Sequence, residues 1–252
     1  MGSIEAFPGS HNAAKRQRVV SAWRRAPVPG SGVVRVRSAR LEDYAAIRAL
    51  QREAHAGIPE GSLKQFESHR NAFPDGQLVA AIDGVVVGAA SCLVLRWENY
   101  ELRPTWKRVT GDGLFTTHDT AGRTLFCADL VLDLARRGSG IGRALFQAQR
   151  RLCRKLNLRR IIASARLPGY RQVRSTMPPE LYAQRVIRGD IHDAHLRLPL
   201  SQGFQYCGIV EDYLPEDRDS CGHAALLVWL NPLFSPAGPP ANVETERPRK
   251  CA

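Results

Sequence analysis

Three glycines at every second position, Gly138, Gly140 and Gly142, follow closely on the apolar run TLFCADLVLDL and open a segment of helical periodicity in RRGSGIGRAL, residues 136 to 145. Glycine lets the backbone turn tightly enough to bring several N–H groups toward one point, and the helix behind them adds the positive end of its dipole. Such a loop suits a phosphate or diphosphate. It is not a P-loop, because Gly142 is followed by Arg143 and Ala144, leaving neither the lysine nor the magnesium-binding hydroxyl. The dinucleotide fingerprint also fails, since it needs an acid about 20 residues on for the ribose. No Asp or Glu occurs between Asp133 and Glu180. A glycine-rich connection without a ligand remains the plain alternative.

Asp129 is the most informative carboxylate, because it interrupts the apolar strand just upstream of this loop. A buried acid is expensive unless it is paired or used. Pairing with an arginine of a neighbouring strand, such as Arg166, is the structural expectation. His118 and Asp119 read first as a surface turn with an Asp cap, and second as a proton relay or acceptor contact. His192 and His195 resemble a metal pair in spacing, but no third ligand stands nearby and no metal is expected. The six cysteines (Cys92, Cys127, Cys153, Cys207, Cys221, Cys251) include no CxxC pair. They read as small buried hydrophobes of a reduced cytosol.

The elements that must position these residues can be read from periodicity. VVRVR (33–37) is an expected strand, and 41–55 carries Leu41, Tyr44, Ile47 and Leu50 at helical spacing. A short helix is expected over SLKQFESHRNAF. Two strands follow around the Asp83-Gly84 turn, a strong hairpin signal. After a polar excursion (96–123), residues 124–134 read as a central strand. The glycine loop, an amphipathic helix and strand RRIIASARL complete a βαβ unit. Pro178-Pro179 would start a further helix and Gly189 would end it. Helix-like DAHLRLPLSQ and strands FQYCGIV and HAALLVWL close the chain, giving a mixed sheet.

The 252 residues, 44% hydrophobic and 24% charged, suffice for a proper core without disulfide or metal staples. Residues 1–32 read as a flexible basic arm, 33–232 as one folded domain and 233–252 as a disordered tail. The net charge of +12 comes from two blocks. Residues 1–40 carry eight Lys and Arg against Glu5, and residues 134–179 carry twelve with no acid. Basicity of this size raises nucleic-acid binding, but 7% aromatic content and the lack of a stacking platform count against it. No run reaches the roughly 18 apolar residues of a membrane span, and no signal-peptide core is visible at the N-terminus. A cytoplasmic protein is expected.

Arg137-Gly138-Ser139-Gly140-Ile141-Gly142, directly after a strand ending LVLDLA, matches [QR]xxGx[GA], and here the sequence resembles the GNAT family of N-acetyltransferases. The likeness extends over about residues 33–232, including the Gly203-Phe204 pair that opens a late strand. TWKRVTGDGLFTTHD, TLFCADLVLD, the glycine-loop helix and RLPGY resemble more closely the acetyltransferase-like module of bacterial two-domain proteins that carry a carbon-nitrogen hydrolase domain behind it. The chain stops about 20 residues after its last expected strand, so only the acyl-CoA module is inferred.

The resemblance implies an α/β (α+β) fold with a mixed, mainly antiparallel sheet of six or seven strands flanked by helices, and an acyl-CoA cleft between two central parallel strands. It implies acetyl-CoA as cosubstrate, an amine as acceptor and direct attack in a ternary complex. The loop residues Arg137, Gly138, Ser139, Gly140, Ile141, Gly142 and Arg143 would hold the coenzyme diphosphate. Main-chain groups near Leu130 and Leu132 would hold the pantetheine and thioester. Dimers are common in the family, so a homodimer is allowed. Acetyl transfer needs a neutral amine, and one with pKa about 10.4 is only about one part in 2,500 neutral at pH 7, a deficit of roughly 4.6 kcal/mol. Asp129 is therefore a candidate general base or acceptor anchor. Many members protonate the leaving thiolate with a tyrosine four residues before the Gly-Phe pair, where this chain has Pro199. Tyr170 and Tyr206 are the candidate substitutes. An acyl-CoA-binding module without catalysis is the alternative that Pro199 raises.

Overall fold

The longest apolar runs of the sequence become the centre of a sheet. The computed structural model describes residues 32–55 and 57–236. The expected arm as far as residue 31, and the tail from 237 on, lie outside the described residues. Seven strands are present: β1 (Arg35–Ser38), β2 (Gln77–Ile82), β3 (Val85–Leu95), β4 (Thr124–Leu132), β5 (Arg160–Arg166), β6 (Gln205–Val210) and β7 (Ala224–Leu230). They form one sheet in the order β1-β2-β3-β4-β5-β7-β6. Every neighbouring pair is antiparallel except β4 with β5. The helices are α1 (Tyr44–Ala54), α2 (Leu63–Ala72), α3 (Trp106–Thr110), α4 (Ile141–Lys155), α5 (Pro179–Arg188) and α6 (Ala194–Ser201).

Helices cover both faces because the strands alternate. On one face Ala89 and Val131 pack with Ile47 and Leu50 of α1, and Leu93, Leu95 and Phe126 pack with Val109 of α3 and with Phe115. On the other, Ala90 packs with Ile141 and Leu145 of α4, while Cys92 and Leu125 pack with Phe146 and Leu152. The polar excursion is less empty than its composition suggests. It contains α3, capped by Thr105, and the Trp106 indole donates to the Ala128 carbonyl at 3.0 Å. Residues 233–236 of the expected tail are tied down in part, since Asn157 exchanges two hydrogen bonds with the Ser235 backbone.

Two irregularities shape the middle of the sheet. Cys92 pairs with Cys127 but Ser91 pairs with Asp129, so Ala128 is an extra residue, a β-bulge. In unbroken alternation Asp129 would share the face of Cys127, toward α4. The bulge turns it to the face of Ser91, toward α1. The second irregularity is that β4 and β5 pair only from Thr124 with Arg160 to Cys127 with Ala163. Beyond that point the two strands part, and the space between them is open.

Candidate active site

The parted strands lead into a cavity of about 810 Å³ bounded by β4, β5, α1, α2, α6 and the glycine loop. At one end the loop is held in shape by its own groups. Asp133 caps Ala135 N–H at 2.9 Å and pairs with Arg136, while Ser139 returns N–H and hydroxyl bonds to the Arg136 carbonyl. Gly138 and Gly140 adopt φ of 80° and 85°, the left-handed region where a side chain is strained. The first helical bond runs from Ala144 N to Gly140 O, so the N–H groups of Ile141, Gly142 and Arg143 have no partner within the helix. A Cβ on Gly140 would meet nothing within 4 Å, so open space borders the loop at this glycine.

Arg136, Arg137 and Arg143 line the same end, with Leu130 and Leu132 on the free edge of β4. These residues fit a diphosphate: positive, rich in N–H donors and sterically open. Ser139 belongs to the loop but does not line the cavity, because its hydroxyl turns back to Arg136.

At the middle of the cavity Asp129 is met by α1 rather than by Arg166. Its carboxylate accepts from Gln51 Nε2 at 2.7 Å and bonds His55 Nε2 at 2.9 Å. The other nitrogen of His55, Nδ1, lies 3.0 Å from Arg166 Nη1. A guanidinium only donates, so Nδ1 accepts and the imidazole proton lies on Nε2, aimed at Asp129. Arg166 makes a two-point bond to Asp217 instead, at 2.6 and 2.7 Å, and Asp217 is 2% exposed. Burial alone would raise the pKa of Asp129, but His55, then Gln51 and the Leu130 N–H, outweigh it and hold the carboxyl below its ordinary value. Glu60 and Glu216, also in the cavity wall, are paired with Arg52 and Lys107.

The remaining sequence candidates fall into two groups. His192, just before the Asp193 cap of α6, and His195, in its first turn and one turn before Pro199, both line the cavity. No cluster of three metal-ligating side chains occurs among the described residues. Burial, more than Asp193 can offset, lowers the pKa of His195. The second group lies away from the cavity. Tyr170 is buried edge-on against Tyr182 and His223, and Tyr206, on β6, donates to Glu180 at 2.8 Å. Neither tyrosine lines the cavity, because the turn after β5 and the far strand β6 carry them into packing with α5. His118 accepts from Val94 N–H and stacks on Phe73, while Asp119 caps Ala121, so this pair forms a structural turn.

Sequence reasoning missed Gln51, His55, Asp217, Trp106, His69 and Ser91 as parts of the site. A signal existed for the first two. They are four residues apart, Gln51 in the last turn of α1 and His55 at its C-terminal cap, following the buried Ile47 and Leu50.

Residues 43–174, more than half of the chain, match the family described as acetyltransferase (GNAT). The chain is 31% identical over 201 residues to the probable hydrolase YhcX of Bacillus subtilis, covering 80% of this chain and 39% of that protein. It therefore spans about two fifths of the length of that relative. It is 29% identical over 176 residues to the uncharacterized N-acetyltransferase YkwB of Bacillus subtilis, covering 70% of this chain and 77% of that one. Among solved structures, the loading GNATL domain of CurA from Lyngbya majuscula shares the fold with a TM-score of 0.68 at 17% identity, over 79% of this chain and 98% of that domain. With a glycine loop at the mouth of two parting parallel strands and a family match that spans both, the chain belongs to the acetyltransferase (GNAT) family.

Proposed function

We propose that this chain is an N-acetyltransferase that moves the acetyl group of acetyl-CoA to an amine by direct attack in a ternary complex. One observation carries the reading: a single cavity runs from the open N–H donors of Ile141, Gly142 and Arg143, along the free edge of β4, to Asp129. The loop residues 137–143 would bind the diphosphate and the backbone near Leu130 and Leu132 the pantetheine arm, which brings the thioester toward Asp129. Residues 33–232 form the acetyltransferase domain in this reading.

Asp129 acts as the acceptor anchor. Among the described carboxylates of the cavity wall (Glu60, Asp129, Asp133, Glu216) it alone lacks a Lys or Arg partner. Its contacts are the His55 ring and the Gln51 amide, which orient the carboxylate. A carboxyl held below its ordinary pKa is a poor base and a good site for an ammonium.

Release of coenzyme A thiol from acetyl-CoA, measured with a panel of small amines, polyamines and lysine peptides, tests the activity. Turnover with at least one amine is expected. Acetyl-CoA binding by calorimetry with no thiol release from any of them would instead make the chain an acyl-CoA-binding module, the reading that Pro199 at the cavity wall favours.

A further inference from the structure

A histidine that takes no part in anchoring the acceptor lines the same cavity. His69, on α2, has Nε2 2.8 Å from the Gly113 carbonyl. A carbonyl only accepts, so the proton of the neutral ring lies on Nε2 and Nδ1 carries a lone pair. That lone pair faces Ser91 Oγ at 3.3 Å. Phe115 stacks on the ring with centroids 3.6 Å apart and planes 13° apart, which fixes its orientation.

The hydroxyl proton of Ser91 is directed elsewhere. Gln77 Nε2 donates to the carbonyls of Phe73 and Cys92 at 3.0 and 2.9 Å, which leaves its Oε1 to accept from Ser91. Ser91 Oγ and His69 Nδ1 thus face each other with lone pairs and no proton between them. One added proton completes the arrangement. The imidazolium would donate from Nε2 to Gly113 and from Nδ1 to Ser91, and Ser91 would still donate to Gln77. Burial lowers the pKa of His69 more than the Gly113 bond and the nearby Asp129 charge raise it, so the ring is neutral at pH 7 and ready to receive a proton. The local geometry suits a base whose protonated form is already solvated by the protein.

Ser91 is the register partner of Asp129 across β3 and β4, so hydroxyl and carboxylate share one face of the sheet. Asp129, Ser91 and His69 all line the cavity. We propose that Ser91 and His69 carry away the proton that the acceptor ammonium, held at Asp129, must lose before it attacks the thioester. In this step one ammonium N–H bond breaks and its proton passes to Ser91 Oγ. The hydroxyl proton of Ser91 swings from Gln77 to His69 Nδ1. The products are a neutral amine and an imidazolium, with no electrons transferred and no further reactant needed. The imidazolium later returns its proton to solvent through the same hydroxyl. Ser91 touches the acceptor, and His69 acts through it.

The inference rests on the acetyltransferase reading, and two measurements separate their failures. With the best amine of the panel, Ser91→Ala and His69→Gln should each lower kcat roughly 100-fold, leave the KM for acetyl-CoA unchanged and flatten the acid limb of the pH–rate profile. Ser91→Thr should retain both rate and limb. Intact rate and limb in Ser91→Ala would overturn the relay while leaving the acetyltransferase in place. Nitrogen-15 NMR of histidine-labelled wild-type protein needs neither acceptor nor variant. It should find His69 as the Nε2–H tautomer at pH 7, and an Nδ1–H tautomer or an imidazolium there would overturn the relay directly. Wild-type protein that releases no thiol with any amine defeats the acetyltransferase reading, and the function of the relay with it.

Discussion

Arg166 joins three polar groups that the sequence keeps far apart. It bonds Asp217 at two points, points Nη1 at His55 and so decides which nitrogen of His55 faces Asp129. Removing Asp217 would leave a nearly buried guanidinium without its counter-charge, so Asp217→Ala should cost about 3 to 5 kcal/mol of stability, read by urea unfolding. The pH dependence has a definite sign. Burial opposes ionisation of Asp217, but Arg166 and Ser220 hold its carboxyl below the ordinary value of about 3.9. A depressed carboxyl contributes its full stability above the unfolded value and loses it as the pH falls through the folded one. Circular dichroism should therefore show acid unfolding of the wild-type chain setting in below about pH 4. Asp217→Asn should weaken the chain at neutral pH and reduce that acid dependence. Asp129 could be singled out from the sequence because an acid in an apolar strand stands out, whereas its partners could not. Which face of α1 meets which edge of β4 is a tertiary fact, and Arg166 is drawn to Asp217 by a loop that no spacing rule predicts.

At the scale of elements the fold was far more legible. The Asp83-Gly84 turn, the strand before the glycine loop, α4 itself and the Pro-Pro start of α5 all fall where periodicity and capping put them. Burying an apolar stripe has a period that a sequence displays. The bulge at Ala128 and the parting of β4 from β5 leave no such trace, since register depends on partners distant in sequence. One contact that fixes the cleft can be tested by volume alone. A Cβ on Gly142 would lie 2.8 Å from Leu198 Cδ2 and 3.2 Å from Leu132 Cδ1, so α6 packs flush on the first turn of α4. Gly142→Ala should destabilise by about 1 to 2 kcal/mol, the overpacking strain exceeding the gain in helix propensity. A lower melting temperature is expected. A raised one would mean that the Leu198 and Leu132 methyls move aside into the cavity.

For the whole molecule, the charge that first suggests a polyanion separates into different uses. Of the twelve basic residues in 134–179, Arg136, Arg137, Arg143 and Arg166 line the cavity. Arg150 and Arg154 of α4 lie over the Trp229 ring of β7, and Arg160 and Arg171 pair with Glu98 and Asp219. Much of the block therefore covers and braces the sheet, and the part around the glycine loop is what a coenzyme phosphate would meet. The central claim is that this loop binds acetyl-CoA. Calorimetric titration of acetyl-CoA into wild-type protein, Gly140→Ala and Gly140→Asp tests it most directly. Gly140 has open space before it, so neither side chain clashes, and the alanine isolates the backbone strain of a positive φ from the effect of a carboxylate set among the N–H donors. Saturable binding to the wild type, modest weakening in Gly140→Ala and a loss of at least about 100-fold in Gly140→Asp are predicted. No binding by the wild type, or equal binding by Gly140→Asp, would contradict the account.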